Sequence, residues 1–135
     1  MVAAFPLMIL PFILYNLVML GALGGDGAST FAQVILSLSM LSGALWTLSL
    51  GDLFILIALA LLFVEILKAT RTGSGSLLNH MLSMLVFVAY LVEFLLVRGA
   101  ATQIFFILMV IAFIDVVAGF AVSIRSAGRD VSIGL

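Results

Sequence analysis

The stretch ATQIFFILMVIAFIDVVAGFAVSI, residues 101–124, is a long apolar run that contains a single ionisable residue, Asp115. An α-helix crosses the hydrocarbon core of a bilayer with about 17–25 residues of this kind. The stretch therefore predicts a membrane-spanning helix. At the rise of a helix, Asp115 lies about 15 Å from Arg125, the first charge beyond the run, and so close to the middle of the bilayer.

The whole chain has the composition of an integral membrane protein. Hydrophobic residues make up 66% and charged residues 8%, and the mean hydropathy is +1.48, whereas a soluble domain is about 45–50% apolar. With 135 residues we expect one compact helical bundle and no additional soluble domain. The net charge of -1 provides no basic patch for nucleic acid, and the lack of cysteine excludes disulfides and thiolate metal sites.

Four further apolar runs predict spans at residues 2–23, 31–50, 53–67 and 77–97. The run at 31–50 is the weakest, because six polar residues interrupt it: Gln33, Ser37, Ser39, Ser42, Thr47 and Ser49. We therefore predict an all-α, polytopic transmembrane helical bundle of five spans, with four spans plus one interfacial or re-entrant helix as the alternative. The bundle is expected to occupy residues 1–124, and residues 125–135 to form a short, polar, loosely ordered cytoplasmic tail.

A break in the chain is expected near Gly51 and Asp52. A single helix over residues 31–67 would be about 55 Å long, much more than the roughly 30 Å of the hydrocarbon core. Glycine permits a turn at this position, and an aspartate side chain accepts hydrogen bonds from the first amides of a helix. We therefore expect a helix to start here with Asp52 as its cap.

The basic residues predict the orientation of the bundle. Lys68 and Arg71 share one loop and Arg125 and Arg129 share the tail, whereas Arg98 lies alone between the last two spans. By the positive-inside rule, the loop 68–76 and the C-terminus face the cytoplasm in a bacterial inner membrane. Five spans then place the N-terminus outside, and four place it inside. The lack of basic residues ahead of the first apolar run argues against a signal peptide and favours the outside position.

Small and polar residues recur on the last predicted helix at three- and four-residue spacing: Ala112, Asp115, Gly119, Ser123 and Ser126. Small residues allow another helix to approach closely. An ionised aspartate in the membrane costs about 2.5–3.5 kcal/mol on insertion scales. Asp115 must therefore face protein or water, or carry a proton.

A matching polar stripe lies on the preceding helix within a narrow arc: Asn79, Ser83, Tyr90 and Glu93. The short turn at Arg98 makes the two helices antiparallel neighbours, so the two stripes are expected to meet. At this depth Ser83 and Tyr90 are predicted to flank Asp115. Asn16, midway along the first run, is another possible donor to the same carboxyl group.

Two interpretations of the three intramembrane acids remain open. Glu93, Asp115 and Glu65 lie at three depths and could line a route for protons or cations. Alternatively, the two glutamates reach the interface as helix-end residues, with Glu93 beside Arg98 and Glu65 three residues before Lys68. Asp115 is then a hydrogen-bonded packing residue or a contact with another subunit. The pattern favours this structural interpretation.

Small residues elsewhere predict further helix packing. Gly21 and Gly25 form a GxxxG pair at the end of the first run, and Ser39, Gly43 and Thr47 form a ladder of small residues in the second. Such motifs let helices pack closely, either within one chain or between chains. We expect these residues to lie at helix contacts.

Enzymatic chemistry has little support in the sequence. His80 is the only histidine, and we expect it at the membrane interface near lipid headgroups or Asn79 rather than as the axial ligand of a pigment. The chain has no HExxH motif, no cysteine nucleophile and no predicted cluster of metal ligands. We therefore predict a protein that is not an enzyme and that holds no cofactor and no metal.

Two long segments carry a resemblance to a known family. They are GDLFILIALALLFVEILKATRTGSGSLLNHMLSMLVFVAYLVEFLLVR, residues 51–98, and IDVVAGFAVSIRSAGRD, residues 114–130. Together they resemble a family of small uncharacterised bacterial inner-membrane multi-span proteins. The resemblance implies a membrane location and a multi-span helical fold, and it assigns a role to no residue. The chain does not resemble the small multidrug exporters, because the glutamate of their first span has no counterpart in residues 2–23.

Two functions follow as hypotheses. The first is a structural or accessory subunit that binds the lipid bilayer and other membrane protein subunits, or itself, through faces of small residues. The alternative is a small oligomeric proton- or cation-coupled transporter or channel that uses Asp115. The two differ in whether replacing that carboxyl group stops transport or only disturbs packing.

Overall fold

The computed structural model describes residues 5–70 and 75–133, with side chains described throughout except at residues 75, 76, 123 and 126–133. Four α-helices are present in this part of the chain: α1 (Ile9–Met19), α2 (Leu50–Ala69), α3 (Gly75–Leu96) and α4 (Gln103–Ile133). Two 3-10 helices cover Gly27–Ala32 and Arg98–Ala100. Two strands, β1 (Val34–Ser39) and β2 (Leu45–Ser49), form an antiparallel hairpin ahead of α2.

Three of the helices contain segments long and apolar enough to cross a membrane by length and composition: Leu50–Ala69, Leu77–Leu96 and Gln103–Val122. The helix α1 has 11 residues, which corresponds to about 16 Å and is shorter than a bilayer core. The predicted helical bundle with membrane-spanning character is therefore confirmed in this coarser form. The predicted five spans are not confirmed.

The helix α4 lies at the centre of the bundle. It packs against α2 on one side and α3 on the other, while α1 contacts both α2 and α4. At the start of α2, Gly51 lies so close to the Ile104 side chain that an added Cβ would come within 2.7 Å of it. Because Gly51 and Ile104 both lie near the start of their helices, α2 and α4 run in the same direction.

The direction of α1 follows from contacts at its two ends. At the end of α2, Lys68 Nζ donates to the carbonyl oxygen of Phe5 at 2.6 Å. Beyond α3, the Tyr15 hydroxyl donates to the carbonyl oxygen of Gly99 at 3.0 Å. The helix α1 therefore runs from the end of the bundle that carries Lys68, the Lys68 end, to the opposite Arg98 end. Residue 5 therefore lies at the same end as Lys68, whereas the five predicted spans would put the start of the chain and Lys68 at opposite ends.

Residues 31–50 do not form the predicted second span. Leu36, Ser37, Leu38 and Ser39 alternate apolar and polar side chains, which is the period of a strand rather than of a helix. They pair with β2 in a register that runs from Ser39 opposite Leu45 to Leu36 opposite Leu48, with an irregularity between Val34 and Leu36. Both the predicted span and its alternative, an interfacial or re-entrant helix, are wrong for these strand residues.

The turn of the hairpin explains one glycine in the segment. Met40 N donates to Ala44 O at 2.8 Å, and Gly43 N donates to Met40 O at 2.9 Å. Gly43 has φ +90°, a left-handed conformation that glycine adopts without steric cost. A three-residue hairpin loop commonly ends in such a residue. Gly43 therefore closes a turn and does not lie at a helix contact.

The break near Gly51 and Asp52 is confirmed, with a correction to the cap. The Ser49 hydroxyl accepts from Asp52 N at 3.2 Å, and Asp52 Oδ2 accepts from Ser49 N at 3.0 Å. This reciprocal pair is a capping box, in which the helix starts after Ser49 and Asp52 is its third residue. Leu50 N also donates to Gln33 O at 2.9 Å, which joins the hairpin to the start of α2.

Aromatic side chains fill the core toward the Arg98 end. The Tyr15 ring stacks on Phe31 with centroids 4.8 Å apart and contacts Phe105 at 4.9 Å, and Phe31 meets Phe54 edge-on at 5.1 Å. Pairs at these distances add to the stabilisation from buried apolar area. The 3-10 helix that carries Phe31 is therefore anchored on the bundle, although the hairpin that follows it is exposed.

The C-terminal residues differ from the loosely ordered tail expected for residues 125–135. The helix α4 continues to Ile133, well beyond Val122, where its apolar segment ends. Extending an existing helix adds one hydrogen bond for each residue fixed, and the segment contains no proline that would stop it. The apolar run therefore predicts where the membrane segment ends and not where the helix ends.

Candidate buried polar site

Five buried polar side chains belong to α2, α3 and α4 in the half of the bundle nearer the Lys68 end. These residues, with Lys68, are called the polar cluster below: Glu65, Asn79, His80, Ser83 and Asp115. Intramembrane ionisable residues are costly unless they are paired, so such a cluster is a candidate functional site. It combines members of both polar stripes with Glu65, which the sequence placed at a different depth.

Glu65 receives donors from two elements. Its side chain is 1% exposed, and its Oε1 accepts from Lys68 Nζ at 2.7 Å and from Leu7 N at 3.4 Å. The predicted pairing of Glu65 with Lys68 is therefore confirmed. Because Lys68 also donates to Phe5, this ion pair attaches the residues that precede α1 to the end of α2.

Asp115 faces protein, as its helix stripe predicts. It is 5% exposed, and its carboxyl group lies within hydrogen-bonding reach of the Ser83 hydroxyl and of the Glu65 carboxyl. The contact with Ser83 agrees with the expected meeting of the two stripes. The contact with Glu65 was missed, although Glu65 lies fifteen positions after the start of α2 and Asp115 twelve after the start of α4. Since α2 and α4 run in the same direction, similar distances from their starts place the two acids at similar depths, and this comparison would have predicted the contact.

Gly119 of α4 lies in close contact with His80 of α3. A Cβ added to Gly119 would come within 2.9 Å of His80 Cε1 and Nδ1, and the His80 ring stacks on Phe120 with centroids 5.2 Å apart. Gly119 and the buried Ala112 therefore occupy the packed face that was predicted for them. His80 is 5% exposed, so its side chain packs inside the bundle and not against lipid headgroups. Ser123 lies on the α4 backbone, and its side chain is outside the described part of the structure.

Two other predicted donors to Asp115 have different partners. The Tyr90 hydroxyl donates to the carbonyl oxygen of Met8 at 2.8 Å. Asn16 Nδ2 donates to the carbonyl oxygen of Phe12 at 2.9 Å and to Glu93 Oε2 at 3.1 Å. The hydrogen bonds of Tyr90 with Met8 and of Asn16 with Glu93 hold α1 against α3. They were missed because the sequence does not show where α1 docks.

Glu93 also differs from its prediction. It was expected beside Arg98, but its hydrogen-bond donor is Asn16, and Arg98 is exposed. The ion pair of Lys68 with Glu65 is the only salt bridge within the described residues. Glu93 thus lies with the contacts of α1 near the Arg98 end and does not extend the polar cluster.

Four residues predicted at helix contacts lie outside the helices. Gly21 follows α1 with φ +91°, and Gly25 lies against Thr30, whose hydroxyl occupies the space that a Cβ would need. Ser39 belongs to β1 and Gly43 to the hairpin turn. The two glycines of the GxxxG pair therefore permit a tight connection after α1 rather than a helix crossing.

Two features of the polar cluster bear on the ligands that it could bind. Within the described ranges, no three His, Asp or Glu side chains are grouped so that they could bind a metal. Two of its buried acceptors, Glu65 Oε2 and Asn79 Oδ1, have no hydrogen-bond donor among the described residues. Unpaired buried acceptors are unfavourable, so they mark the part of the cluster where a further donor would be stabilising.

Comparisons with protein-family models, with curated proteins and with solved structures find no match to this chain. The resemblance to small bacterial inner-membrane proteins therefore stays a prediction. Conclusions about function depend on the geometry of the chain alone.

Gly119→Val should destabilise the bundle by about 1–3 kcal/mol, because its side chain would displace the His80 ring from a packed position. The matched control is Ala121→Val on the exposed face of the same helix, which should change stability little. The free energy of unfolding of both variants is measured in mixed detergent micelles, with the loss of helicity as the signal for unfolding. Equal effects would show that the close contact at Gly119 contributes nothing special.

Lys68→Met should cost about 3–5 kcal/mol at neutral pH, because it leaves Glu65 buried without its cation. The same substitution in a Glu65→Gln background should cost much less, since no carboxylate is then uncompensated. The same unfolding measurement gives the coupling between the two residues. If the two costs are equal, the ion pair does not stabilise the Lys68 end.

Proposed function

We propose that this chain is a small integral membrane protein that acts as an accessory subunit of a larger membrane complex, which it contacts through the β-hairpin. The polar groups of the bundle are largely satisfied inside the chain. The hairpin, in contrast, projects apolar side chains from the Arg98 end. A surface of this kind is typical of a protein interaction site.

The exposed hairpin is the observation that carries the proposal. Its large apolar residues are exposed on both strands and in the turn: Val34, Ile35, Leu36, Leu38, Leu41, Leu45 and Trp46. Leu36 with Leu48 and Leu38 with Trp46 form cross-strand pairs. A two-stranded hairpin is marginally stable alone, and its unpaired edges do not suit the lipid core. A partner that adds a strand to an edge would satisfy the backbone groups of that edge and extend the apolar face against which the partner packs.

The arrangement of charges supports an orientation in a bacterial inner membrane. Residue 5 and Lys68 lie at one end of the bundle, and Arg98 lies at the other. By the positive-inside rule, the Lys68 end faces the cytoplasm. The hairpin then lies on the periplasmic side, and the contact with the partner is made there.

A transporter or channel that uses Asp115 is the second candidate function, and the contact of Asp115 with Glu65 favours it. The face of α4 between Asp115 and the Arg98 end opposes it. Its buried residues are all apolar: Phe105, Leu108, Ile111 and Ala112. They extend over about 10 Å of helix, and this packed layer separates the polar cluster from the Arg98 end. The accessory role therefore has the stronger support.

After gentle extraction from native membranes, we expect the protein to migrate in a fixed ratio with a larger membrane protein by native mass measurement. The double variant Leu38→Ala with Trp46→Ala should lose that partner, because it removes a cross-strand pair from the exposed face. The matched control is Leu85→Ala with Leu95→Ala, which trims two exposed side chains of α3 and should keep the partner.

Several outcomes would contradict the accessory role. If the wild-type protein is released alone, or only with copies of itself, it is not a subunit of a larger complex. If both double variants lose the partner equally, the hairpin is not the surface that binds it. Proton or cation flux through vesicles of the purified protein, abolished by Asp115→Asn with helicity unchanged, would establish the transport alternative.

The orientation can be tested with single cysteines, because the chain has none of its own. Leu41→Cys at the fully exposed hairpin tip should react with a membrane-impermeant maleimide added to intact bacterial cells from which the outer membrane has been removed. Thr70→Cys, exposed at the end of α2, should react only after the inner membrane is opened. The reverse pattern would overturn the orientation.

A further inference from the structure

The two carboxyl groups of the polar cluster form a site that the accessory role does not use. We propose that Glu65 and Asp115 bind one exchangeable proton and share it between them. The ligand is a proton, and the site is formed by one carboxyl group from α2 and one from α4. Ser83 of α3 completes the immediate surroundings of Asp115.

The first support is the contact between the two acids. Glu65 is 1% exposed and Asp115 is 5% exposed, and their carboxyl groups lie within hydrogen-bonding reach of each other. Carboxylate oxygens only accept hydrogen bonds, so a favourable contact between two carboxyl groups needs a proton on one of them. Two buried carboxylates without that proton would repel each other in a medium of low dielectric constant.

The second support is the unequal use of the two Glu65 oxygens. Oε1 accepts from Lys68 Nζ and from Leu7 N. Oε2 is buried and has no donor among the residues that the structure describes. Asp115 lies beside this carboxyl group, and a proton carried by Asp115 would supply the missing donor. A hydrogen bond from Asp115 to Glu65 would then connect α4 to α2.

The balance of charges in the polar cluster also indicates one proton for the two carboxyl groups. Two other titratable side chains among the described residues lie near the pair: Lys68 of α2 and His80 of α3. Among the described residues ahead of α1, Leu7 and Phe5 contribute backbone groups. One ammonium group balances one carboxylate, so the second carboxyl group must carry a proton for the cluster to be neutral. A proton on the His80 ring is the competing arrangement, in which both carboxyl groups would be ionised.

Infrared absorption of the full-length protein in lipid vesicles distinguishes these arrangements. A protonated carboxyl group has a C=O stretching band that an ionised one lacks, and the band moves to lower frequency in deuterated water. We expect the band in the wild-type protein at neutral pH and its loss as the pH is raised. Glu65→Gln and Asp115→Asn should each abolish it, since the remaining carboxylate then balances Lys68. Glu93→Gln is the matched control and should keep the band, because Glu93 has its own donor in Asn16.

The proposal is overturned if the wild-type protein shows no protonated carboxyl band at neutral pH, as expected when the proton lies on His80. It is also overturned if only one of the two variants loses the band, because the proton then belongs to a single residue. Loss of the wild-type band on adding sodium ions at constant pH would assign the site to a metal cation instead. The wild-type titration and the sodium test need no variant, so they decide the question even if Glu65→Gln or Asp115→Asn fails to fold.

Discussion

The bundle depends on satisfying Glu65 in a place from which water is excluded. Burying one unpaired charge costs several kcal/mol, and Glu65 is 1% exposed. Lys68, one turn further along α2, supplies the cation, and Leu7 N supplies a second donor. This requirement draws the residues ahead of α1 onto the end of α2, so α1 begins inside the bundle and needs only 11 residues to reach the Arg98 end.

The two halves of the bundle are stabilised by different interactions. Toward the Arg98 end, Tyr15, Phe31, Phe54 and Phe105 form a continuous group of aromatic rings. Toward the Lys68 end, the contacts of Asp115 with Glu65 and Ser83 connect α4 to α2 and α3, and the ion pair of Glu65 with Lys68 lies within α2. Apolar association between helices is weak in lipid, whereas interhelical hydrogen bonds and close packing remain effective. The polar cluster therefore specifies which helices are neighbours, and the aromatic group fills the space between them.

Much of this arrangement could be predicted from local sequence patterns, and the rest could not. The stripes of Ser83 on α3 and of Asp115 and Gly119 on α4 follow from helical spacing, and so does the pairing of Glu65 with Lys68. The hairpin was missed because the length of an apolar run was given more weight than the alternation of its side chains. The partners of Tyr90 and Asn16 were missed for a different reason. They depend on where α1 docks, and no local pattern encodes that position.

The proposed contact with a partner lies at a different place from the one that the sequence suggested. Residues such as Asp115 and Gly119 were candidates for a contact with another subunit, but both are buried against helices of the same chain. Their polar and packing requirements are met internally, so a partner would gain nothing there without opening the bundle. The hairpin has the opposite properties, because its apolar side chains are exposed and its strands have free edges. The chain thus combines a buried polar interior with an exposed β-hairpin, so the proposed contact with a partner lies at the Arg98 end and the proposed proton site near the Lys68 end.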